Sequence, residues 1–198
     1  MDGDMKMQTA NALCSNGLDL LVTRASSARF VEPGPTAAQV TQMLQAAVTA
    51  ADHGRLRPWR FVIMQSDGRE KLGALMAEHA RAGKPDASEQ ELESARAKAL
   101  RAPLVIALIS KPTVDHKVPV IEQHFATAAA GAQLMLAANA LGFGAAWKTG
   151  AASRHPTVRS GFGLEEQDMI VGFFYIGTNA QPMPLPRATI DAVVEYWG

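Results

Sequence analysis

Three short motifs, far apart in the chain, combine cationic or hydroxyl side chains with glycine, proline or tryptophan beside apolar segments. They span residues 24–30, 52–59 and 142–150. Arginine presents a planar fork of donors and lysine a compact positive charge, and both groups bind phosphate. Glycine allows a backbone to approach a ligand closely. The order and spacing of the motifs indicate a site for a flat, anionic ligand that ends in a phosphate.

The first two motifs each have a structural and a functional interpretation. Arg24 and Ser26 fall at a helix end, where the helix dipole favours a cation, and the same pair would also clamp a phosphate. His53, Arg55 and Arg57 form either a solvated basic loop or a recognition element for the edge of a flavin ring. A cation at that edge stabilises the negative charge that develops when the ring is reduced.

The third motif ends a predicted strand. Trp147 alone is more typical of a core, but beside Lys148 and Thr149, and after Gly142 and Gly144, it is also suited to a pocket wall with a phosphate contact. Taken together, the three motifs predict a site for flavin mononucleotide (FMN).

Helices and strands that would position these motifs alternate along the chain, which predicts an α+β fold with one central sheet. The longest helix, 118–141, is expected to bury Ile121, Phe125, Leu134 and Met135. Its many small residues favour close helix packing, either in the core or at a dimer interface. We predict helices at 18–24, from Thr36, at 67–82, 88–100, 118–141 and 155–161, and strands at 59–64, 103–109, 143–147 and 169–176.

Composition limits the possible functions. A chain of 198 residues fits one domain, which we place at 16–198 after a flexible extension at 1–15. Its 19 Lys and Arg balance 19 Asp and Glu, so nothing attracts nucleic acid. No segment is apolar enough for a membrane span. Cys14 is the single cysteine, which excludes an internal disulfide and favours the cytoplasm.

Other familiar sites are missing from the sequence. It has no glycine fingerprint of a dinucleotide fold, no phosphate-binding Walker loop and no nucleophile elbow. The 5 histidines have no metal-ligand spacing and no cysteine pairs beside them. We therefore expect no bound metal and no catalytic side chain of those types.

The three motifs resemble those of the FMN-dependent nitroreductase family, and are most similar to its short bacterial NAD(P)H nitroreductases. Further similar segments are 101–106, 116–119 and 170–178, so that the resemblance covers about residues 17–180. It implies a nitroreductase-like α+β sandwich, with a central, mostly antiparallel sheet flanked by helices. It also implies an interlocked homodimer with two FMN sites at the subunit interface.

The resemblance further implies which residues bind FMN. One group would hold the phosphate and ribityl region, a second would reach the ring from the other subunit, and a third would complete the phosphate side. In that order, the three groups are Arg24, Ala25 and Ser26; His53 and Arg57; and Ala146, Trp147 and Lys148.

Three of these positions differ from the family pattern. Positions 25 and 148 carry alanine and lysine where the family has arginine. Position 57, at the ring, carries arginine where close relatives tend to have glutamine.

The activity implied is hydride transfer from NADH or NADPH, through flavin N5, to a nitroaromatic, quinone or similar electrophile by a ping-pong mechanism. Because the flavin carries the chemistry, no catalytic side chain is required, and Arg57 is expected to stabilise the reduced flavin. Two alternatives remain at this point. One is a flavin-storing dimer without catalysis, and the other is a flavoenzyme of the same fold that performs reductive dehalogenation or flavin fragmentation.

Overall fold

The computed structural model describes residues 17–181 and 189–197. The extension expected at 1–15, with Cys14, lies outside the described residues. The helices are α1 (Gly17–Thr23), α2 (Ala37–Ala47), α3 (Asp67–Gly83), α4 (Glu89–Ala97), α5 (Val120–Ala140), α6 (Ala151–Arg154) and α7 (Pro156–Gly161). The strands are β1 (Phe30–Val31), β2 (Trp59–Met64), β3 (Leu104–Ser110), β4 (Gly144–Lys148) and β5 (Met169–Asn179), and 3-10 turns lie at His53–Arg55, Lys98–Leu100 and Ile190–Ala192.

The five strands form one sheet in which each neighbouring pair is antiparallel. Its order is β1-β5-β3-β2, and β4 pairs with β5 on the side that β3 leaves open. All seven residues of β3 are buried, as expected for an apolar strand covered on both faces. The predicted α+β fold with a central antiparallel sheet flanked by helices is confirmed. None of the helices in the described part of the chain has the length and apolar character needed to cross a bilayer.

Successive residues of β5 point to opposite faces of the sheet, so each face has its own core. Phe174 and Ile176 belong to a cluster that includes residues of α2 and α5. Phe173 and Tyr175 belong to a second cluster with residues of α3 and α7. The sheet therefore separates an α2/α5 face from an α3/α7 face.

Helix α5 uses small residues to lie close against the sheet. A Cβ added at Gly131 would lie 2.6 Å from Cζ of Phe174, so a larger residue would push the helix away. Leu134 and Met135 are buried as predicted. Ile121 and Phe125, which we expected to be buried, have exposed fractions of 54% and 63%. They lie four residues apart, hence on one side of the helix, and that side faces away from the sheet.

Local helix signals were read correctly, and two short elements were missed. The side chains of Thr36 and Ser88 form complete capping boxes with Gln39 and Glu91. The helix predicted at 88–100 is α-helical only to Ala97 and continues as the 3-10 turn Lys98–Leu100. The sequence did not predict β1 or α6, which contain only two and four residues.

Candidate functional site

A cavity of about 550 Å³ opens on the α3/α7 face of the sheet. Its size is within the range of small-ligand pockets. Phe173 and Tyr175 of β5 form its floor, and α3 contributes Met76 and His79 to one wall. Further lining residues come from the start of β1, the turn after α4 and the segment after β4, namely Phe30, Ala28, Lys98, Arg101, Lys148, Thr149 and Gly150.

The first and third motifs meet beside this cavity. Ser26 forms a parallel bridge with Ala145, and the amide of Ser27 donates a 3.0 Å hydrogen bond to the Ala145 carbonyl. Gly144 makes this approach possible, because a Cβ at that position would overlap Oγ of Ser27. The connection after α1 is thus fastened to the edge of β4, and Ala28 and Lys148 both reach the cavity.

Three of the residues predicted to hold the phosphate, Arg24, Ala25 and Ser26, come just before the lining residue Ala28 in the sequence but do not themselves line the cavity. Arg24 directly follows α1, and its amide donates to the Leu20 carbonyl at 3.2 Å, so it occupies the helix end that the sequence suggested. Arg24 and Ala25 are half-buried and Ser26 is exposed. The structure brings Ser26 to the edge of β4, two residues before Ala28.

Trp147 and its two neighbours divide between the faces of the sheet. The Trp147 indole Nε1 donates to the Val171 carbonyl at 3.0 Å, and its ring centroid lies 5.0 Å from that of Phe174. The side chain therefore packs on the α2/α5 face, away from the cavity, which supports the core interpretation. Ala146 is buried opposite Tyr175 in the strand register, and Lys148 lines the cavity.

The second motif lies apart from the cavity within one chain. Arg57 lines a separate cleft of about 280 Å³ that shares no residue with the larger cavity. His53 Nδ1 lies 2.7 Å from Glu122 Oε2 at the start of α5. The amide of Arg57 donates to Asp52 Oδ2 at 2.6 Å. These two carboxylates fasten the loop at both ends.

The backbone of this loop is strained. Arg55 and Arg57 have φ angles of 55° and 51°, in the left-handed region that disfavours residues with a Cβ, and Gly54 has a φ of 77°. Strain of this kind persists where the surrounding structure enforces it, and it clusters at functional sites. The loop therefore carries a feature of a binding segment even though its own chain offers it no large cavity.

Five polar residues of the described lining were not found from the sequence: His79, Lys98, Arg101, Ser153 and Tyr175. Burial raises the pKa of the Tyr175 phenol, which keeps it a hydrogen-bond donor, while the charge of Arg101 acts in the opposite direction. Burial lowers the pKa of His79, and the charges of His155 and Lys98 add to that effect. The His79 Nδ1 atom is buried and has no hydrogen-bond partner among the described residues.

The arrangement suits a flat organic anion. Lys98, Arg101 and Lys148 supply positive charge, and no aspartate or glutamate is among the described lining residues. Phe30 and Phe173 supply apolar surface. Within the described ranges, no group of three or more histidine, cysteine or acidic residues could hold a metal ion.

Comparison with known proteins gives consistent matches over nearly the whole chain. The model of the nitroreductase family matches residues 21–178. The Escherichia coli (strain K12) protein named "Putative NAD(P)H nitroreductase YdjA" is 40% identical over 163 residues, which cover 82% of this chain and 88% of that protein.

Two solved structures show the same fold. A nitroreductase-like family protein from Bacillus cereus has a TM-score of 0.76 at 24% identity, with 92% of this chain and 96% of that chain covered. A mutant of the FMN and NADPH-dependent nitroreductase NfnB, from sphigopyxis sp. strain HMH, has a TM-score of 0.70 at 17% identity, with 92% and 99% covered.

Proposed function

This chain belongs to the nitroreductase family, and from that premise we propose that it is an FMN-dependent oxidoreductase that takes its electrons from NAD(P)H. Its relative YdjA carries NAD(P)H nitroreductase in its name, and its structural neighbour NfnB is described as FMN- and NADPH-dependent. The electron acceptors we propose are nitroaromatics, quinones and similar flat electrophiles.

One observation carries this proposal. The first and third motifs, which are 118 residues apart at their starting positions 24 and 142, converge on a single basic cavity of about 550 Å³. Apolar walls suit a flavin ring, and cations suit its phosphate. The Tyr175 hydroxyl and the unpartnered His79 Nδ1 are further groups that a bound polar ligand would satisfy. The donor set therefore fits FMN.

The residues that would hold FMN come from both motifs. Lys148 would contact the phosphate from within the cavity. Arg24, Ala25 and Ser26 would approach the phosphate and ribityl region from the segment fastened to β4. Ala146 and Trp147 would contribute backbone, because one side chain is buried against Tyr175 and the other packs on the opposite face. When bound, FMN would supply two-electron transfer in alternating half-reactions, as proposed for a ping-pong enzyme.

We further propose a homodimer in which His53 and Arg57 reach the flavin of the other subunit. The separation of these residues from the cavity of their own chain supports this arrangement. So does an exposed apolar surface on two helices that contact each other, because monomers rarely expose large apolar patches. The surface comprises Leu18, Leu21 and Val22 of α1 and Ile121 and Phe125 of α5.

In this assembly Arg57 would act on the ring by its charge and not as a proton donor. A guanidinium beside the pyrimidine edge would stabilise the reduced, anionic ring. Arg57→Met should therefore lower the flavin reduction potential, and an unchanged potential would rule out this role.

The loop between β3 and α5 favours this function over chemistry that needs a lid. Gln123 Nε2 donates to the Thr113 carbonyl at 2.9 Å, and the Thr113 amide donates to Gln123 Oε1 at 2.8 Å. Nine residues separate the two elements, and this double hydrogen bond holds the connecting loop against the start of α5. We therefore prefer reduction of diverse small acceptors to dehalogenation or flavin fragmentation.

Visible absorbance of the purified protein with FMN tests the proposal. Flavin bands should co-elute with a dimer and bleach when NADH or NADPH is added without oxygen. Bound flavin that does not bleach would support a storage protein. Protein that elutes without flavin would contradict the proposed cofactor.

A further inference from the structure

We propose that Lys98 and Arg101, together with Lys148, bind the phosphate of the flavin in the cavity. The inference rests on the proposed function. It adds two residues from the turn after α4 to the predicted phosphate-binding residues. The phosphate of FMN is dianionic, and among the predicted phosphate residues only Lys148 brings a charge into the cavity itself, so further cations in the lining would be needed there to neutralise it.

The local geometry places both cations together. Lys98 begins the 3-10 turn Lys98–Leu100, and Arg101 follows it. In a 3-10 helix, side chains three residues apart lie on the same side, and Lys98 and Arg101 both line the cavity.

The charges in the cavity are not compensated by the protein. Lys98, Arg101 and Lys148 all line it, and none forms an ion pair with a described residue. By contrast, Lys84, Arg96 and Lys111 outside the cavity each pair with a carboxylate. Three like charges around one cavity create a positive potential that attracts an anion.

Two neighbouring groups respond to this potential. The charge of Lys98 contributes to lowering the pKa of His79. The charge of Arg101 acts on the Tyr175 phenol across the cavity floor. All four residues line the same cavity, so these effects agree with its geometry. A guanidinium fork beside an ammonium group is a combination that binds phosphate well.

The test compares FMN with riboflavin, which is the same ligand without the phosphate. Apoprotein would be titrated with each ligand. The riboflavin Kd divided by the FMN Kd then measures what the phosphate contributes to binding. Lys98→Met and Arg101→Met should each reduce that ratio by about tenfold, the scale expected for one charge-assisted hydrogen bond, and leave the Kd for riboflavin unchanged. Arg101→Lys should retain part of the effect.

Lys71→Met is the matched control, because Lys71 is an exposed residue of α3 that does not line the cavity. An unchanged ratio in both cavity variants would overturn the inference while the FMN proposal stands. So would a change confined to the KM for NADPH, with the KM for NADH and the FMN ratio unaffected, because the cations would then bind the donor. A wild-type protein that binds neither flavin would refute the proposed function itself, and the inference with it.

Discussion

His53 Nδ1 and Glu122 Oε2 lie 2.7 Å apart and connect the loop after α2 to the first turn of α5. A carboxylate at this distance holds the Nδ1 proton and fixes the orientation of the ring, so that Nε2 is the nitrogen left for another partner. Glu122 thereby acts through His53, as a positioning residue for a side chain that we propose meets the flavin of the other subunit.

Replacement of Glu122 by Gln should weaken FMN binding about fivefold, equivalent to about 1 kcal/mol, because His53 is no longer held by a charge. Fluorescence titration of apoprotein would measure this. The unfolding free energy should change by less than about 1 kcal/mol, since the two side chains are 66% and 43% exposed and exposed pairs contribute little. Glu166→Gln serves as control, because Glu166 is exposed and its carboxylate forms no ion pair with a described residue. Equal FMN affinity in both variants would argue against positioning.

Gly144→Ala should destabilise the protein by about 1–3 kcal/mol, the usual effect of overpacking. The added Cβ would overlap Oγ of Ser27 and lie 2.9 Å from Cβ of Asn179, so the segment fastened to β4 must shift. Urea denaturation would measure the loss. Gly83→Ala is the control, because a Cβ at the end of α3 would meet nothing within 4 Å and the helix gains from alanine. Equal stability in the two variants would show that the Ser27 contact is not required.

Trp147→Phe separates the two interpretations of this tryptophan. Loss of the indole donor leaves the Val171 carbonyl without its 3.0 Å partner, which should cost about 1–3 kcal/mol of unfolding free energy. The ratio of the riboflavin Kd to the FMN Kd should stay at its wild-type value, because the ring packs on the other face of the sheet against Phe174. A lower ratio in the variant would restore the pocket-wall interpretation.

Stability should fall as the pH drops below about 6.5. Burial, His155 and Lys98 lower the pKa of His79 from its ordinary value of 6.5 in the folded chain. The unfolded chain then binds more protons in this range, so the unfolding free energy falls as the pH decreases from about 6.5 towards the folded pKa. Burial lowers the pKa of His124 in the same direction.

Urea midpoints of apoprotein at several pH values between 5 and 8 would show this slope. His79→Gln should reduce the slope of stability against pH, and the part due to His124 should remain. A slope identical to that of the wild type would mean that His79 does not carry the effect.

Signals that act within one turn were predicted correctly from the sequence. Thr36 and Ser88 each cap a helix by bonds to a residue three positions on, and such bonds need no tertiary context. Helix α5 shows the opposite case. Because it is apolar nearly all round, its periodicity did not reveal which side meets the sheet, and Ile121 and Phe125 were placed on the wrong side.

The cavity could be predicted only in part for a related reason. Ala28 and Lys148 belong to motifs in which cations stand beside hydroxyl groups, glycine or tryptophan, and these motifs are visible in the sequence. His79, Lys98 and Tyr175 are single polar residues within ordinary helix and strand patterns. Only the packing of α3, the 3-10 turn and β5 brings them together, and no local pattern encodes that packing.

The alternation along β5 makes this strand a natural place to redesign the protein. Phe173 and Tyr175 form the floor of the cavity, whereas Phe174 and Ile176 hold α5 and α2 to the other side. Substitutions at the odd-numbered positions would therefore reshape the cavity and leave the α2/α5 core in place, and replacements of similar volume would also keep the α3/α7 core packed. Along this strand, the even-numbered residues serve folding alone, and the odd-numbered residues serve folding and ligand contact together.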